Sequence, residues 1–258
     1  MADVTAHVVV KNEDVWIWFV LQALLPSMKK ILICDTGSTD HTLEIINSIK
    51  SDKIELIQRT PVDLYEDFTK FKNELCAMTQ TPFWVIVDGD EVYSEIALNE
   101  MVEKLSEIPE QYTVLSTRMK YFVEHLHRVS AMDVTHRYAF VRNGKHLWSY
   151  GFGDEVLAFP QPTKEHRLSH WYQREGWEFD CFHTSFLQRS SLDTDETSEV
   201  YQRKHRQIRA KVGKLYNGMY GYSGPHPEVF YRDDIPDIVK QINPYIEQIY
   251  KTKEEFGM

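Results

Sequence analysis

The strongest constraint on the fold is the segment at residues 83–91, which reads Phe-Trp-Val-Ile-Val-Asp-Gly-Asp-Glu. Its five apolar residues, opened by Pro82, are typical of a strand that is buried on both faces of a parallel sheet. Ligands of open α/β sheets bind beyond the carboxyl ends of such strands, which is where Asp88 and Asp90 emerge. We expect Gly89 to let the backbone turn tightly, so that both carboxylates point at one place.

These two carboxylates suggest a metal site. Two carboxylates held this close repel each other unless a positive charge lies between them. A divalent cation that prefers oxygen ligands, Mg²⁺ or Mn²⁺, would supply that charge, and such ions are commonly shared with substrate phosphates. A solvated acidic turn is the alternative, because Asp-Gly is among the commonest turn dipeptides. The segment by itself leaves both interpretations open.

Strand and helix patterns alternate over the first 91 residues. Short apolar runs predict strands at residues 7–10, 30–34, 54–58 and 83–87. Helical patterns lie between them, at residues 15–25, 43–49 and 68–78. This order predicts an α/β fold with a doubly wound, mainly parallel sheet and helices on both faces. Asn12 is expected to be the N-cap of the first helix, with Glu13 in its first turn.

The pattern becomes mixed or antiparallel after residue 93. A helix is predicted near 98–105 and a long strand at 112–123. Asn143-Gly144, between candidate strands at 137–142 and 145–150, is a strong signal for a two-residue β-hairpin. Further elements are predicted as a strand at 178–183, a basic helix at 194–216 and a terminal helix at 238–250.

Composition excludes several classes of protein. The chain has 258 residues, 42% of them hydrophobic and 26% charged, which is ordinary for a globular protein. Its net charge of -10 gives no general attraction to nucleic acid or anionic lipid. Its three cysteines lack CxxC spacing and indicate neither a disulfide framework nor a zinc site. Neither a dinucleotide-binding G-x-G-x-x-G nor a P-loop is present.

Membrane insertion and export are not expected. The most apolar segment, at 15–25, has only 11 residues, whereas about 20 are needed to span a bilayer. The N-terminal residues lack the basic start and the small-residue cleavage site of a signal peptide. We therefore expect a cytoplasmic protein without a transmembrane segment.

Four motifs resemble, in order, the signatures of family 2 glycosyltransferases. They are Val-Lys-Asn-Glu at 10–13, Asp-Thr-Gly-Ser-Thr-Asp at 35–40, Lys-Asn at 72–73 and Asp-Gly-Asp at 88–90. The resemblance is close over residues 6–93 and looser beyond. It implies a GT-A fold at 1–217, in which a nucleotide-sugar-binding half at 1–93 precedes an acceptor half at 94–217. Residues 218–258 would form an extension packed on this domain.

The resemblance also implies roles for individual residues. The donor would be bound by Asn12, Glu13, Asp35, Gly37, Ser38, Lys72 and Asp88, with Arg203 and Lys204 lending charge to the diphosphate. Asp35 would bind the base, and Asp88 the ribose or the metal. Lys72 stands where the family usually has arginine, so it would supply a point charge without the bidentate fork. Mn²⁺ or Mg²⁺ would be held by Asp88, Asp90 and His183.

An inverting sugar transfer also needs a general base for the acceptor hydroxyl. The family has this carboxylate after the hairpin region, where the chain reads Asp154-Glu155. Similar chains often read His-Glu here, so Glu155 matches by position and Asp154 is a departure. The choice within the pair stays open.

The expected function is the metal-dependent transfer of a sugar from a nucleotide-diphosphate sugar, expected to be a UDP-sugar, to an acceptor hydroxyl. The acceptor is open among a saccharide, a lipid-linked sugar, a protein and a modified nucleobase. The tail at 216–231 would either close over the acceptor or form a homodimer contact.

Two other functions are retained as alternatives. A nucleotidyltransferase would usually have a glycine-rich, arginine-containing loop where this chain has Lys-Asn-Glu at 11–13. A non-catalytic nucleotide-sugar-binding or scaffold protein would tolerate loss of Asp154, Glu155 and His183, and their retention favours an enzyme.

Overall fold

The computed structural model describes residues 2–61, 64–110, 112, 114–123, 125–129, 134–144, 147–149, 156–158, 171–172, 180–193, 230 and 232–256. The first part of the chain contains β1 (Val4–Val10), α1 (Ile17–Leu24), β2 (Lys30–Asp35), α2 (Thr42–Ser48), β3 (Ile54–Gln58), α3 (Leu64–Met78) and β4 (Phe83–Asp88). The alternation predicted for the first 91 residues is therefore confirmed.

The described elements of the second part are shorter and mostly strands. They are β5 (Glu91–Tyr93), α4 (Glu95–Lys104), β6 (Val114–Val123), β7 (His125–Val129), β8 (Val134–Arg142), β9 (Leu147–Ser149), β10 (Val156–Ala158), β11 (Trp171–Tyr172), β12 (Asp180–Phe186), α5 (Asp237–Ile242) and α6 (Ile246–Phe256). The basic helix predicted at 194–216 lies outside the described residues.

One large sheet organises the described part of the chain. Its main strand order is β3-β2-β1-β4-β8-β6-β12-β5, and β7 and β11 pair with β6. β1, β2, β3 and β4 run parallel. β8 is antiparallel to both β4 and β6, and β5 is antiparallel to β12. The α/β class, with a parallel first half and a mixed second half, is as predicted.

The hairpin predicted at Asn143-Gly144 is wrong. In the described residues β8 pairs with β4 and β6, whereas β9 pairs with β10 in a separate two-stranded sheet. Both edges of β8 are thus occupied, and β9 has no place beside it. Gly144 does adopt a positive φ of 73°, and the Asn143 amide donates to the carbonyl oxygens of Thr79 and Thr81. Asn143 and Gly144 do form a turn, but the strand that follows it, β9, lies outside the large sheet.

The first helix is buried, but it does not begin as expected. Asn12 is not its N-cap, because α1 starts after Trp16 without a side-chain cap. Asn12 instead has a left-handed φ of 56° and bonds to the turn after β2. Seven of the eight residues of α1 are buried, in agreement with the predicted buried helix. Across the residues described, no helix has the length and apolar character needed to cross a membrane.

The terminal helix predicted at 238–250 is two helices, since Pro244 separates α5 from α6. Val239 and Ile249 from these helices belong to the same buried core as α1. The Tyr245 ring also stacks on Trp16, with 5.3 Å between ring centroids. The boundary between a 1–217 domain and a 218–258 extension stays a prediction.

His7 is a fully packed histidine in β1. Its ring stacks on Trp84 at a centroid distance of 4.8 Å. The Thr79 hydroxyl donates to the Leu75 carbonyl, so His7 Nε2–H donates to Thr79 Oγ1 at 2.5 Å. Burial lowers the pKa of His7 from 6.5 to about 3, and the imidazole is therefore neutral at physiological pH.

We expect His7 to make the protein less stable in mild acid. The unfolded chain binds a proton here near pH 6.5 and the folded chain only near pH 3, so stability falls as the pH drops between these values. The loss at pH 5 should be about 2 kcal/mol. Urea unfolding of wild type and His7→Phe at pH 7.5 and pH 5 measures it. An equal pH dependence in the two proteins would contradict the assignment.

Candidate active site

The ends of three parallel strands meet at one edge of the sheet. In the strand register, Val10 of β1 is level with Asp35 of β2, and Val9 of β1 is level with Asp88 of β4. Parallel strands bring their carboxyl ends to the same side, and polar residues that follow them share a crevice. The predicted convergence of these acidic residues is therefore present in the structure.

A hydrogen-bonded network joins the turns after β1 and β2. The backbone N–H of Asn12 donates to Ser38 Oγ at 2.9 Å, and the backbone N–H of Thr39 donates to Asn12 Oδ1 at 2.8 Å. The Asp35 carboxylate accepts from the Gly37 and Ser38 N–H groups at 3.0 and 3.2 Å. Gly37 has a φ of 97°, a conformation that strains other residues. Four residues that were predicted to bind the donor thus belong to one hydrogen-bonded network, namely Asn12, Asp35, Gly37 and Ser38.

The chain turns at Gly89, as expected, and the position needs glycine for a steric reason. The described glycines with positive φ are Gly37 and Gly144, so this turn does not depend on a left-handed conformation at Gly89. A Cβ atom at this position would lie 2.7 Å from Glu13 Cγ and 2.9 Å from Val10 Cγ1, which is closer than packed atoms come. Glycine therefore lets the turn after β4 press against Glu13.

Asp90 and His183 are brought together by strand pairing. His183 of β12 lies opposite Glu91 of β5, the residue next to Asp90. The Thr184 N–H donates to the Asp90 carbonyl at 2.9 Å, which fixes the level of the two strands. As a result, His183 Nε2 lies 3.1 Å from Asp90 Oδ2. These two residues, 93 positions apart in the chain, are in direct contact.

Arg189 lies beside Asp90, and the sequence analysis did not predict it as a site residue. Its Nε is 2.9 Å from Glu13 Oε2 and 3.0 Å from Asp90 Oδ2, and its Nη2 contacts Glu13 Oε1. Glu13 and Asp90 are each only 1% exposed. Burial lowers the pKa of Arg189 to about 10, so the guanidinium stays protonated at neutral pH. Its position six residues after His183 was the only sequence signal, and it does not distinguish Arg189 from a surface arginine.

The backbone around Arg189 is tied to the first half of the chain. The Val15 N–H donates to the Arg189 carbonyl at 3.2 Å, and Ser190 Oγ donates to Asp40 Oδ2 at 2.6 Å. These bonds, at Arg189 and at the residue after it, hold the segment after β12 against the turns that follow β1 and β2. The backbone that carries the Arg189 side chain is therefore positioned by contacts with the first part of the chain.

Other predicted site residues are only partly described. Lys72 is buried on α3, with its ammonium 4.5 Å from the centre of the Phe68 ring. Asp88 is half-buried at the end of β4, and its N–H donates to Glu91 Oε2 at 3.0 Å. Four further residues lie outside the described part of the chain, namely Asp154, Glu155, Arg203 and Lys204.

The chemistry of the site suits a divalent cation held by few protein ligands. Among the described residues no group of three or more His, Cys, Asp or Glu side chains is arranged to hold a metal ion. Asp90 and His183 nevertheless offer an oxygen and a nitrogen side by side, and the buried His183 Nδ1 has no hydrogen-bond partner within the described contacts. Mg²⁺ and Mn²⁺ commonly take one or two protein ligands and complete their shell from substrate phosphates and water. The residues therefore fit such an ion.

The balance of charges at the strand ends also favours a bound cation. Glu13 and Asp90 carry two negative charges, and Arg189 neutralises one of them. Asp88 adds another carboxylate at the adjacent strand end. Among the residues that the structure describes, the crevice thus has an excess of negative charge, which favours binding of a cation and disfavours a diphosphate on its own.

Parallel strands followed by antiparallel ones, with acidic side chains and a histidine gathered at the strand ends, are the arrangement expected of the GT-A fold. The sequence profile of glycosyl transferase family 2 matches residues 5–192. The chain belongs to this family, which confirms the resemblance seen in its four motifs. No curated protein matches the chain.

Solved structures similar to this chain include glucosyl-3-phosphoglycerate synthase from Mycobacterium tuberculosis with Mn²⁺, UDP and glucosyl-3-phosphoglycerate. Its identity is 17%, the match covers 47% of this chain and 44% of that one, and the TM-score is 0.37. For the same enzyme with Mg²⁺ and UDP the values are 18%, 48%, 44% and 0.36. A mycobacterial protein matches at 14% identity, over 46% and 42% of the chains, with a TM-score of 0.38. The match spans less than half of each of these proteins.

Proposed function

We propose that this family 2 glycosyltransferase uses a nucleotide-diphosphate sugar, with a UDP-sugar as the expected donor, and a divalent metal ion, Mn²⁺ or Mg²⁺. The observation that supports this most is the contact between Asp90 and His183 at the edge where β1, β2 and β4 end. An oxygen and a nitrogen ligand lie there beside the turn network of Asn12 and Asp35, in the place where α/β sheets bind nucleotides.

In this proposal the nucleoside lies on the network after β1 and β2. Asp35 is 2% exposed and already orders the Gly37–Ser38 turn. Its role is therefore to shape the base pocket as well as to accept hydrogen bonds from the base. Asn12 connects this pocket to the strand that carries Glu13, and Asp88 stands one strand away for the ribose.

The diphosphate would lie over β4 and β12. Asp90 and His183 would hold the metal ion, with Asp88 beside them, and the bound ion would neutralise the charge that develops on the departing nucleoside diphosphate. Lys72 would add a positive charge from α3, and Arg203 and Lys204 are proposed as further cations. These roles rest on the family motifs and on the excess of carboxylates over cations among the described residues at the strand ends.

The reaction we propose is a single displacement. The acceptor hydroxyl oxygen forms a bond to the anomeric carbon of the donor, while the bond from that carbon to the diphosphate oxygen breaks and its electron pair leaves with the nucleoside diphosphate. The hydroxyl proton passes to a carboxylate base, which we assign to Glu155 or Asp154. Attack from the face opposite the leaving group inverts the anomeric centre.

Several further features of the protein are proposals of the same kind. The acceptor is a saccharide, a lipid-linked sugar, a protein or a modified nucleobase. Cytoplasmic localisation, the domain boundary near residue 217 and a homodimer contact through the tail remain predictions from the sequence. Acceptor identity is the first of these to pursue once the donor is known.

A donor panel tests the proposal. Calorimetry with UDP-, GDP-, ADP- and CMP-sugars, with Mn²⁺ or with EDTA, should show binding of a UDP-sugar that depends on the metal. Slow hydrolysis of the bound donor to UDP should accompany it. Release of pyrophosphate from a nucleoside triphosphate and a sugar 1-phosphate would instead indicate a nucleotidyltransferase. Binding without hydrolysis or transfer would favour the scaffold alternative, and failure to bind any nucleotide sugar would overturn the proposal.

A further inference from the structure

Arg189, Glu13 and Asp90 form a buried three-residue unit, which we call the Arg189 bridge. Glu13 follows β1, Asp90 follows β4, and Arg189 comes from the segment after β12. Each carboxylate is 1% exposed, and the guanidinium contacts both. Buried carboxylates destabilise a fold unless a cation or hydrogen-bond donors compensate them. In this structure Arg189 supplies that compensation.

The contacts of the bridge are unequal. Glu13 receives two of them, from Nε at 2.9 Å and from Nη2. Asp90 receives one, from the same Nε at 3.0 Å. The Nε–H donates its hydrogen bond to Glu13 Oε2, and its approach to Asp90 Oδ2 is a charge contact. Arg189 is therefore held mainly by Glu13, and its contact with Asp90 is the weaker side of the bridge.

The weaker contact occupies an atom that a metal ion would use. Asp90 Oδ2 is approached by Arg189 Nε at 3.0 Å and by His183 Nε2 at 3.1 Å. A divalent cation on this carboxylate and imidazole would replace the hydrogen bond between them and would repel the guanidinium at short range. Both positive groups cannot keep full contact with the same oxygen.

We propose that Arg189 is the resident cation of the metal-free protein, and that it gives up Asp90 but keeps Glu13 when a divalent metal ion binds. This inference rests on the metal site of the proposed function. Hydrogen bonds from Val15 to the Arg189 carbonyl and from the next side chain to Asp40 hold the segment at Arg189. The exchange therefore needs only a rotation of the side chain. Arg189 thus stabilises the fold of the metal-free crevice. It also lowers the affinity for the metal ion, which must displace the guanidinium from Asp90.

The bridge predicts that removing the guanidinium tightens metal binding while it weakens the empty protein. Arg189→Met should bind Mn²⁺ at least about tenfold more tightly than wild type in the absence of nucleotide, because the competing charge is gone. The measurement is a titration followed by the electron paramagnetic resonance signal of free Mn²⁺. The melting temperature of Arg189→Met without metal should fall below that of wild type, and Mn²⁺ should raise it by more than it raises that of wild type.

Arg142→Met is the matched control. Arg142 is also a partly buried arginine, and it donates to the carbonyl oxygens of Ile108 and Tyr112 instead of to carboxylates. Its removal should lower the melting temperature and leave Mn²⁺ affinity as in wild type. Arg189→Lys keeps a positive charge but cannot contact both carboxylates through a planar fork. It should bind Mn²⁺ more tightly than wild type and less tightly than Arg189→Met, and it carries the test if the methionine variant does not fold.

The outcomes separate this inference from the function on which it rests. Equal Mn²⁺ affinity in wild type, Arg189→Lys and Arg189→Met would overturn the bridge and leave the metal site standing. Weaker binding by the Arg189 variants would also overturn it, since it would make Arg189 a support for the metal. Absence of Mn²⁺ binding in wild type and in both variants, with a nucleotide sugar present as well as without it, would overturn the proposed metal site itself.

Discussion

Replacing Asp90 by asparagine is expected to lower kcat/KM for the nucleotide sugar by about 100-fold to 1,000-fold, the range seen when one group that stabilises transition-state charge is removed. The substitution keeps the shape of the side chain but removes the charge that would hold the metal beside His183. Steady-state transfer or donor hydrolysis at saturating Mn²⁺, together with Mn²⁺ titration, measures the loss. Metal affinity should fall along with activity.

Glu55→Gln is a suitable control for this prediction. Glu55 is an exposed carboxylate on β3 that pairs with Lys30, and its removal changes the net charge of the protein by the same amount. Its activity should be close to that of wild type. If Asp90→Asn retained metal-dependent turnover at the wild-type level, Asp90 would not be a metal ligand. Thermal unfolding of both variants separates loss of chemistry from loss of fold.

The second large effect is expected at the proposed base. Glu155→Gln should lower kcat by roughly 100-fold to 10,000-fold, which is the usual contribution of general base catalysis. Donor affinity should not change, because this carboxylate acts on the acceptor proton. The measurement combines kcat for transfer with calorimetric binding of the donor.

Asp154→Asn is the matched control, since it removes the neighbouring carboxylate. We expect the larger loss at Glu155, which matches the family by position. A reversed result would move the base to Asp154 and leave the mechanism unchanged. Wild-type kcat in both single variants would contradict a base at this position of the chain.

Much of the fold of the first 91 residues could be predicted from the sequence. The apolar run at 83–87 and the helical periods between the strands depend on side chains close in sequence, and such patterns indicate burial directly. Parallel order then brings Asp35 and Asp88 to one edge without further information. The structure agrees on each of these points, and its register shows how near the acidic residues come.

Other predictions failed where local patterns compete with distant partners. Asn143-Gly144 forms a turn, but β8 is paired on both sides by β4 and β6, so no hairpin follows. Asn12 has the chemistry of an N-cap, yet it bonds to Ser38 and Thr39 from the next turn. In both cases the local preference, for a turn or for a side-chain hydrogen bond to the backbone, was fulfilled. Which elements it connected depended on neighbours that are distant in sequence.

The sequence by itself determined the α/β class, the alternation of strands and helices in the first 91 residues and the family, because apolar periodicity and four ordered motifs are local properties of the chain. The resemblance had already grouped Asp90 with His183, and the tertiary structure shows their direct contact. Only the tertiary structure decided that Arg189 joins Asp90 to Glu13. Arg189 and Glu13 are 176 positions apart, and no periodicity connects them. They meet because β12 pairs with β5 and because Gly89 leaves room for the Glu13 side chain.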